Sequence, residues 1–304
     1  AGLTKLMLDG NGINIANRVV INSDPVITVA TGTTNTMSGP ISGAGDIVLN
    51  GGGTLVLSGA NTYTGGTTIC GTACGIAGGS SVLQVGVDTV GTPGAIVSSA
   101  IGTGLLTFDG GTLQAGGNYT IANNAQINAT GGTIDANGYT FTYSGNISGA
   151  GGLSVLGASA FLGRVVLTGS NTYAGGTTIC SCATLQLGDA SHTASIVGEV
   201  TVNGRFEIVN ANTAGITKIV NDGSIGFGST TFHNSTTAST AVIVNRNYGA
   251  TVFRDSSTAG NSTITNGNNG GSQFFEFSSA ASAKSRRCSA AQECIASTSA
   301  TRRR

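Results

Sequence analysis

Apolar and polar residues alternate in short runs along most of this chain. Leu55 and Leu57 fall on one face of a strand with Val56 on the other; Leu113 and Ala115 oppose Gln114, and Leu185 and Leu187 oppose Gln186. Period-two alternation describes a sheet with one buried face and one wet face. The runs last about four residues and are bounded by Gly and Asn clusters, which supply turns. No segment has the apolar spacing of a helix, so nothing is available to cover both faces of a buried parallel sheet of the α/β kind. Short one-sided strands of this type have to coil and stack upon each other. The alternation predicts Leu55, Leu57, Ile69, Leu83, Leu113, Ile121, Ile134, Leu185 and Leu187 as inward-pointing core residues.

The pattern also repeats on two scales. LSGANTYTGGTTIC at 57–70 returns as LTGSNTYAGGTTIC at 167–180; ISGAG at 41–45 returns at 147–151; LQVG at 83–86 matches LQLG at 185–188. Within this long unit lies a shorter period, seen where GGTLQA at 110–115 is followed by GGTIDA at 131–136, and where FHNSTTASTAVIVN at 232–245 is followed by FRDSSTAGNSTITN at 253–266. A third, degraded copy is read from Phe275. A period near 21 residues is one solenoid coil and too little for an independent domain. Five or six buried aliphatics cannot offset the ordering of one coil's backbone, so neighbouring coils must cover one another. The expectation is all-β: a right-handed parallel β-helix, a single-stranded solenoid of roughly a dozen coils over 1–283, right-handed because parallel crossovers are overwhelmingly so.

Composition narrows the function. The 304 residues include 50 Gly and only 9% charged residues, with no net charge and 39% hydrophobic residues. Disorder favours high net charge and low hydrophobicity, so this chain reads as folded. Scattered charge offers no basic face for nucleic acid. No run of 18 apolar residues is present to cross a bilayer as a helix. A chain beginning at Ala1 reads as a processed protein or a fragment.

The blocks 51–69 with 83–86, and 167–179 with 184–188, carry a distinctive theme: an LSGANTYTGGTT-like stretch followed by a TLQLG-like strand. This resembles the autotransporter-associated β-strand repeat, also called the passenger-associated transport repeat. The resemblance covers roughly Leu3 to Gly188; coils from about Glu199 to Ala283 share only its general character. It implies a bacterial passenger domain exported to the cell surface, a scaffold that supports secretion and adhesion and is not an enzyme. The implied partners are an outer-membrane translocator β-barrel, missing from this chain, and glycans or proteins of host or neighbouring cells. A monomer is expected, with no nucleic-acid partner and no cofactor.

Candidate chemistry is sparse. Cys70, Cys74, Cys180, Cys182, Cys288 and Cys294 read first as unpaired thiols, with a local Cys70–Cys74 disulfide as the alternative; Cys180 and Cys182, taken to lie on one strand face, sit near the limit of disulfide reach. CGTAC and CSC lack the further ligands of a zinc site. His192 and His233 lie in polar settings and read as solvated. The acidic residues, Asp46 and Asp109 among them, form no glycosidase pair, and DGNG (9–12) and SGAGD (42–46) read as turns. Asn61 and Asn171 read as left-handed turn residues, with hydrogen-bonded ladders as the rival explanation. No catalytic, cofactor-binding or metal-ligating residue is therefore assigned. Loops 71–81 and 88–104 are the candidate adhesive insertions. From Lys284 the chain turns basic, and 284–304 reads as a disordered tail. The rival functions are a carbohydrate-active β-helix enzyme, of lyase or hydrolase type, and a truncated remnant without function.

Overall fold

A computed structural model describes residues 5–72, 79–158, 163–288 and 295–297. Among them there is no α-helix, and the strands pair in parallel as a β-solenoid of about 13 turns. The chain divides into two compact units, Ala1–Ser154 with Tyr173–Gly175, and Val155–Thr172 with Gly176–Arg304.

In the first unit, one sheet stacks Lys5–Leu8, Val26–Val29, Ile47–Asn50, Thr67–Cys70, Leu106–Asp109, Ala125–Ile127 and Ile147–Gly149. A second stacks Asn14–Ile15, Thr34–Met37, Thr54–Leu57, Val82–Val85, Thr112–Ala115 and Gly132–Asp135. Register keeps like on like: Leu55, Leu83, Leu113 and Ile134 lie above one another. All nine residues expected in the core are fully buried. The repeated ISGAG motif has a backbone cause. Gly43 and Gly149 sit at φ 116° and 115°. A Cβ at either would lie 2.0 or 2.2 Å from the carbonyl oxygen of Ile21 or Ile127 one coil away. Only glycine permits both the conformation and the approach.

The second unit stacks Gly163–Leu167, Ala183–Leu187, Arg205–Ile208, Ser229–Phe232, Ala250–Phe253 and Gly271–Phe274 in one sheet. A second holds Thr177–Ile179, Gly198–Val202, Ile216–Asp222, Val242–Arg246, Thr263–Gly267 and Lys284–Cys288. Its core includes two columns the sequence reading did not assign. Phe232, Phe253 and Phe274 stack face to face with ring centroids 4.8 Å apart. Asn221 donates to Asn245 at 2.8 Å and Asn245 to Asn266 at 2.7 Å. The degraded copy therefore begins at Phe274, paired with Phe253, and not at Phe275. That one-residue slip moves a side chain to the opposite face.

The expected boundary at Lys284 is not where pairing ends. Lys284–Cys288 joins the ladder in parallel with Thr263–Gly267, and Ile295–Ser297 pairs antiparallel with 285–287. Lys284 and Arg286 are exposed on the outer face, and Ser285 takes the register position of the core residue Ile264. A solvated face accepts any charge, so Lys284 and Arg286 on the outer positions do not break the strand.

Candidate functional site

The outer surface carries the polar positions of the alternation. Gln84, Gln114 and Asp135 occupy one register position on three successive coils, and their side chains form a chain: Gln84 donates to Gln114 at 2.8 Å, and Gln114 to Asp135 at 2.9 Å. Gln114 is thus engaged on both sides.

The turns hold most of the remaining polar chemistry. Asn61 and Asn171 are fully buried, and neither has a positive φ. Left-handed turn geometry is therefore not their role. The Asn61 side chain accepts the Ile41 N–H at 2.8 Å and donates to the Ala100 carbonyl at 2.6 Å; that of Asn171 donates to the carbonyls of Gly169 and Ser195, each at 3.0 Å. They satisfy backbone groups where the chain leaves the ladder. Asparagine ladders do occur, but at Asn221–Asn245–Asn266.

Cys180 and Cys182 form a disulfide with Cα atoms 5.3 Å apart, which overturns their reading as unpaired thiols on a strand face. They flank a turn between Thr177–Ile179 and Ala183–Leu187. An extended strand holds residues i and i+2 roughly 6.5 Å apart, near the upper limit for a disulfide; the bend brings this pair well inside that limit. Cys70 is also disulfide-bonded. Cys74, its proposed partner, lies outside the described residues.

The histidines differ from one another. His192 is exposed and its Nδ1 sits 2.9 Å from both oxygens of Asp189. Burial raises the Asp189 carboxyl, but the His192 side chain, two backbone N–H groups and the imidazole charge outweigh it and leave the value lowered. His233 is not freely solvated: its Nε2 is 2.6 Å from Glu207, and its Nδ1 4.0 Å from Asp255. Asp255 is already committed to the Asn234 N–H at 2.7 Å. The group braces successive coils. The only sequence signal for it was the 21-residue spacing that sets Asn234, Asp255 and Glu276 at equivalent positions.

Asp46 and Asp109 serve the turns, Asp46 accepting the Gly66 N–H and Asp109 the Thr130 hydroxyl at 2.6 Å. The DGNG turn is exposed. Among the described residues no three His, Cys, Asp or Glu side chains gather where they could hold a metal ion.

Of the two insertions, 71–81 is described only at its ends. Within 88–104, Val90–Thr92 and Ala95–Ser98 form an antiparallel hairpin with a bulge at Val90/Gly91. Its base is pinned in three ways: the Thr89 N–H donates to Thr120, the Thr89 hydroxyl to that of Ser99 at 3.1 Å, and Ser99 exchanges backbone bonds with Asn61. Val90 and Val97 are more than half exposed.

The passenger-associated-transport-repeat family matches residues 47–71 and 162–193. Over 207 residues the chain is 34% identical to the "Adhesin BmaC autotransporter" of Brucella suis biovar 1 (strain 1330). That stretch is 66% of this chain but 5% of that protein, so the chain spans a small part of its relative. No solved structure matches. The chain is a parallel β-solenoid in which two stretches match the passenger-associated transport repeat.

Proposed function

We propose that this chain is a surface-displayed segment of an autotransporter passenger, a scaffold that supports export across the outer membrane and carries adhesive loops. The observation that carries the reading is where the two repeat blocks lie. Both are ordinary coils of the solenoid, with Leu55, Leu57, Leu185 and Leu187 in the core and Gln84 and Gln186 outside. The repeat supplies folding units, and what varies between its copies is loop length. Coils that add one after another can fold progressively at the far side of a membrane, each new coil covering the last. Its partners are an outer-membrane translocator β-barrel and surface glycans or proteins, and it performs no catalysis.

The chain is to be fused between an export signal and an autotransporter barrel in a Gram-negative host, and display scored by protease accessibility on intact cells. Removing 51–86 or 167–188 is expected to lower display several-fold. Unchanged display would reject the export role. Purified protein is expected to leave polygalacturonate, pectin and peptides intact; turnover abolished at Asp46, Asp109 or His192 would reject the scaffold reading.

A further inference from the structure

The two copies of the long repeat differ in length after their last strand. The second has only 189–197 between Gly188 and the strand Gly198–Val202; the first has 87–105 between Gly86 and Leu106–Asp109. The extra length in the first copy is the pinned hairpin. A coil closes without it in the second copy, so coil formation does not require it, and insertions in repeat proteins concentrate on binding faces.

Between the hairpin and the coil beneath is an open pocket of about 330 Å³, lined chiefly by Ala95, Ile96, Thr103, Gly104, Leu105 and Asn124. That volume is at the small end of the roughly 300–1,000 Å³ typical of ligand sites. None of the lining side chains ionises, so an anion or cation entering would shed water for no partner. One set of walls is hydrocarbon: Ile96, Ala95 and Leu105, the last 44% exposed with its apolar surface uncovered. The other is polar and complementary. The Asn124 Oδ1 already accepts the Asn146 N–H at 3.0 Å, which leaves its Nδ2 as a donor. The Thr103 hydroxyl donates to the Tyr63 carbonyl at 3.3 Å, which leaves its oxygen as an acceptor. Gly104 packs against the coil below, where a Cβ would lie 2.1 Å from the Gly65 oxygen. The floor is thus peptide backbone.

A neutral ligand with an apolar face and a rim of hydroxyls fits these walls. The geometry points to the pocket under the 88–104 hairpin as a binding site for a neutral sugar residue of a surface glycan. Leu105 and Ile96 take the C–H face of the ring, and Asn124 Nδ2 and Thr103 Oγ1 take adjacent hydroxyls. This rests on the adhesive reading above and names its ligand class. The hairpin's pinned base means little ordering is needed on binding, which favours a small ligand.

The test titrates the full 304-residue chain with methyl glycosides of galactose, glucose and N-acetylglucosamine, read by saturation-transfer NMR and calorimetry. Saturable binding of at least one is expected, with Kd around 1 mM for so few contacts. Asn124→Asp keeps the acceptor for the Asn146 N–H and removes the donor; Leu105→Ser removes the apolar wall. Each is expected to weaken binding about tenfold or more with thermal melting unchanged. No binding by any glycoside, or binding untouched by both variants, overturns the assignment. Beads coated with the chain are assayed in parallel for attachment to cultured cells. Attachment that persists in both variants without glycoside binding rejects this pocket and leaves the adhesive reading intact. Glycoside binding with no attachment upholds the pocket and rejects adhesion.

Discussion

Two buried tyrosines test how this core treats a hydroxyl. Burial pushes the phenols of Tyr63 and Tyr143 far above their ordinary range, and only Tyr63 has a partner, Thr67 at 2.6 Å. Among the described residues the Tyr143 hydroxyl is buried without one. An unsatisfied buried polar group costs about 1–3 kcal/mol. Tyr143→Phe is therefore expected to raise stability by ~1 kcal/mol, whereas Tyr63→Phe lowers it by a similar amount. Urea denaturation midpoints at constant slope check both; Tyr143→Phe melting lower than the parent would contradict the argument. The alternation makes a parallel prediction at Leu57, where aspartate puts a charge in the core and is expected to cost ~4 kcal/mol. On the outer face Gln114→Asp looks harmless from sequence, but the Gln84–Gln114–Asp135 chain makes it otherwise. A carboxylate there loses the bond to Asp135 and faces like charge, so it is expected to destabilise by ~1 kcal/mol. High salt should relieve part of that loss, which a merely neutral surface site would not show.

At the scale of strands and turns, the inward aliphatic columns could be read directly because the pleat writes them at period two. The polar columns could not. Asn245 and Leu55 obey the same alternation, and nothing at the position itself distinguishes a buried amide from a surface one. What makes Asn245 tolerable inside is its company: Asn221, Asn266, Thr251 and the Gly271 carbonyl all bond to it, each from another strand. The Cys180–Cys182 bond is not legible in the alternation, because the chain bends where the pattern suggests a strand. The hairpin was legible as an insertion, but its pinning through Asn61 was not, since that asparagine is far off in sequence. Turns also set the response to pH. Asp222 is buried, and although burial pushes its carboxyl up, bonds from Asn247, the Ser224 N–H and Arg246 outweigh it and hold it well below the ordinary carboxylate range. A folded value below the unfolded one means the stabilisation is complete above about pH 4 and is lost as pH falls through and below it. Asp222→Asn is expected to reduce the drop in melting temperature between pH 5 and pH 2.5. An unchanged drop would remove this turn from the acid response.

For the molecule as a whole, the physical unit of construction is the coil, so whole coils should be removable where partial ones are not. In the second unit Val242 stacks on Lys218 and Thr263 on Val242, while Phe253 lies between Phe232 and Phe274. Deleting 242–262 joins Ala241 to Thr263 and lowers everything beyond by one coil. Asn266 then meets Asn221, and Phe274 meets Phe232, so both internal columns close again. Stability in a solenoid is near to a sum of coil and nearest-neighbour terms, and the deletion is expected to lower the melting temperature modestly while unfolding stays cooperative. Removing one residue more, 242–263, turns every following side chain to the opposite face. Asn266 and Phe274 then point outward, and charged Arg286 turns toward the core. Circular dichroism should show the native strand signal and a sharp transition for the 21-residue deletion. For the 22-residue deletion, the coils beyond the junction should lose both. Equal behaviour of the two would mean that register between coils is not what holds this solenoid together.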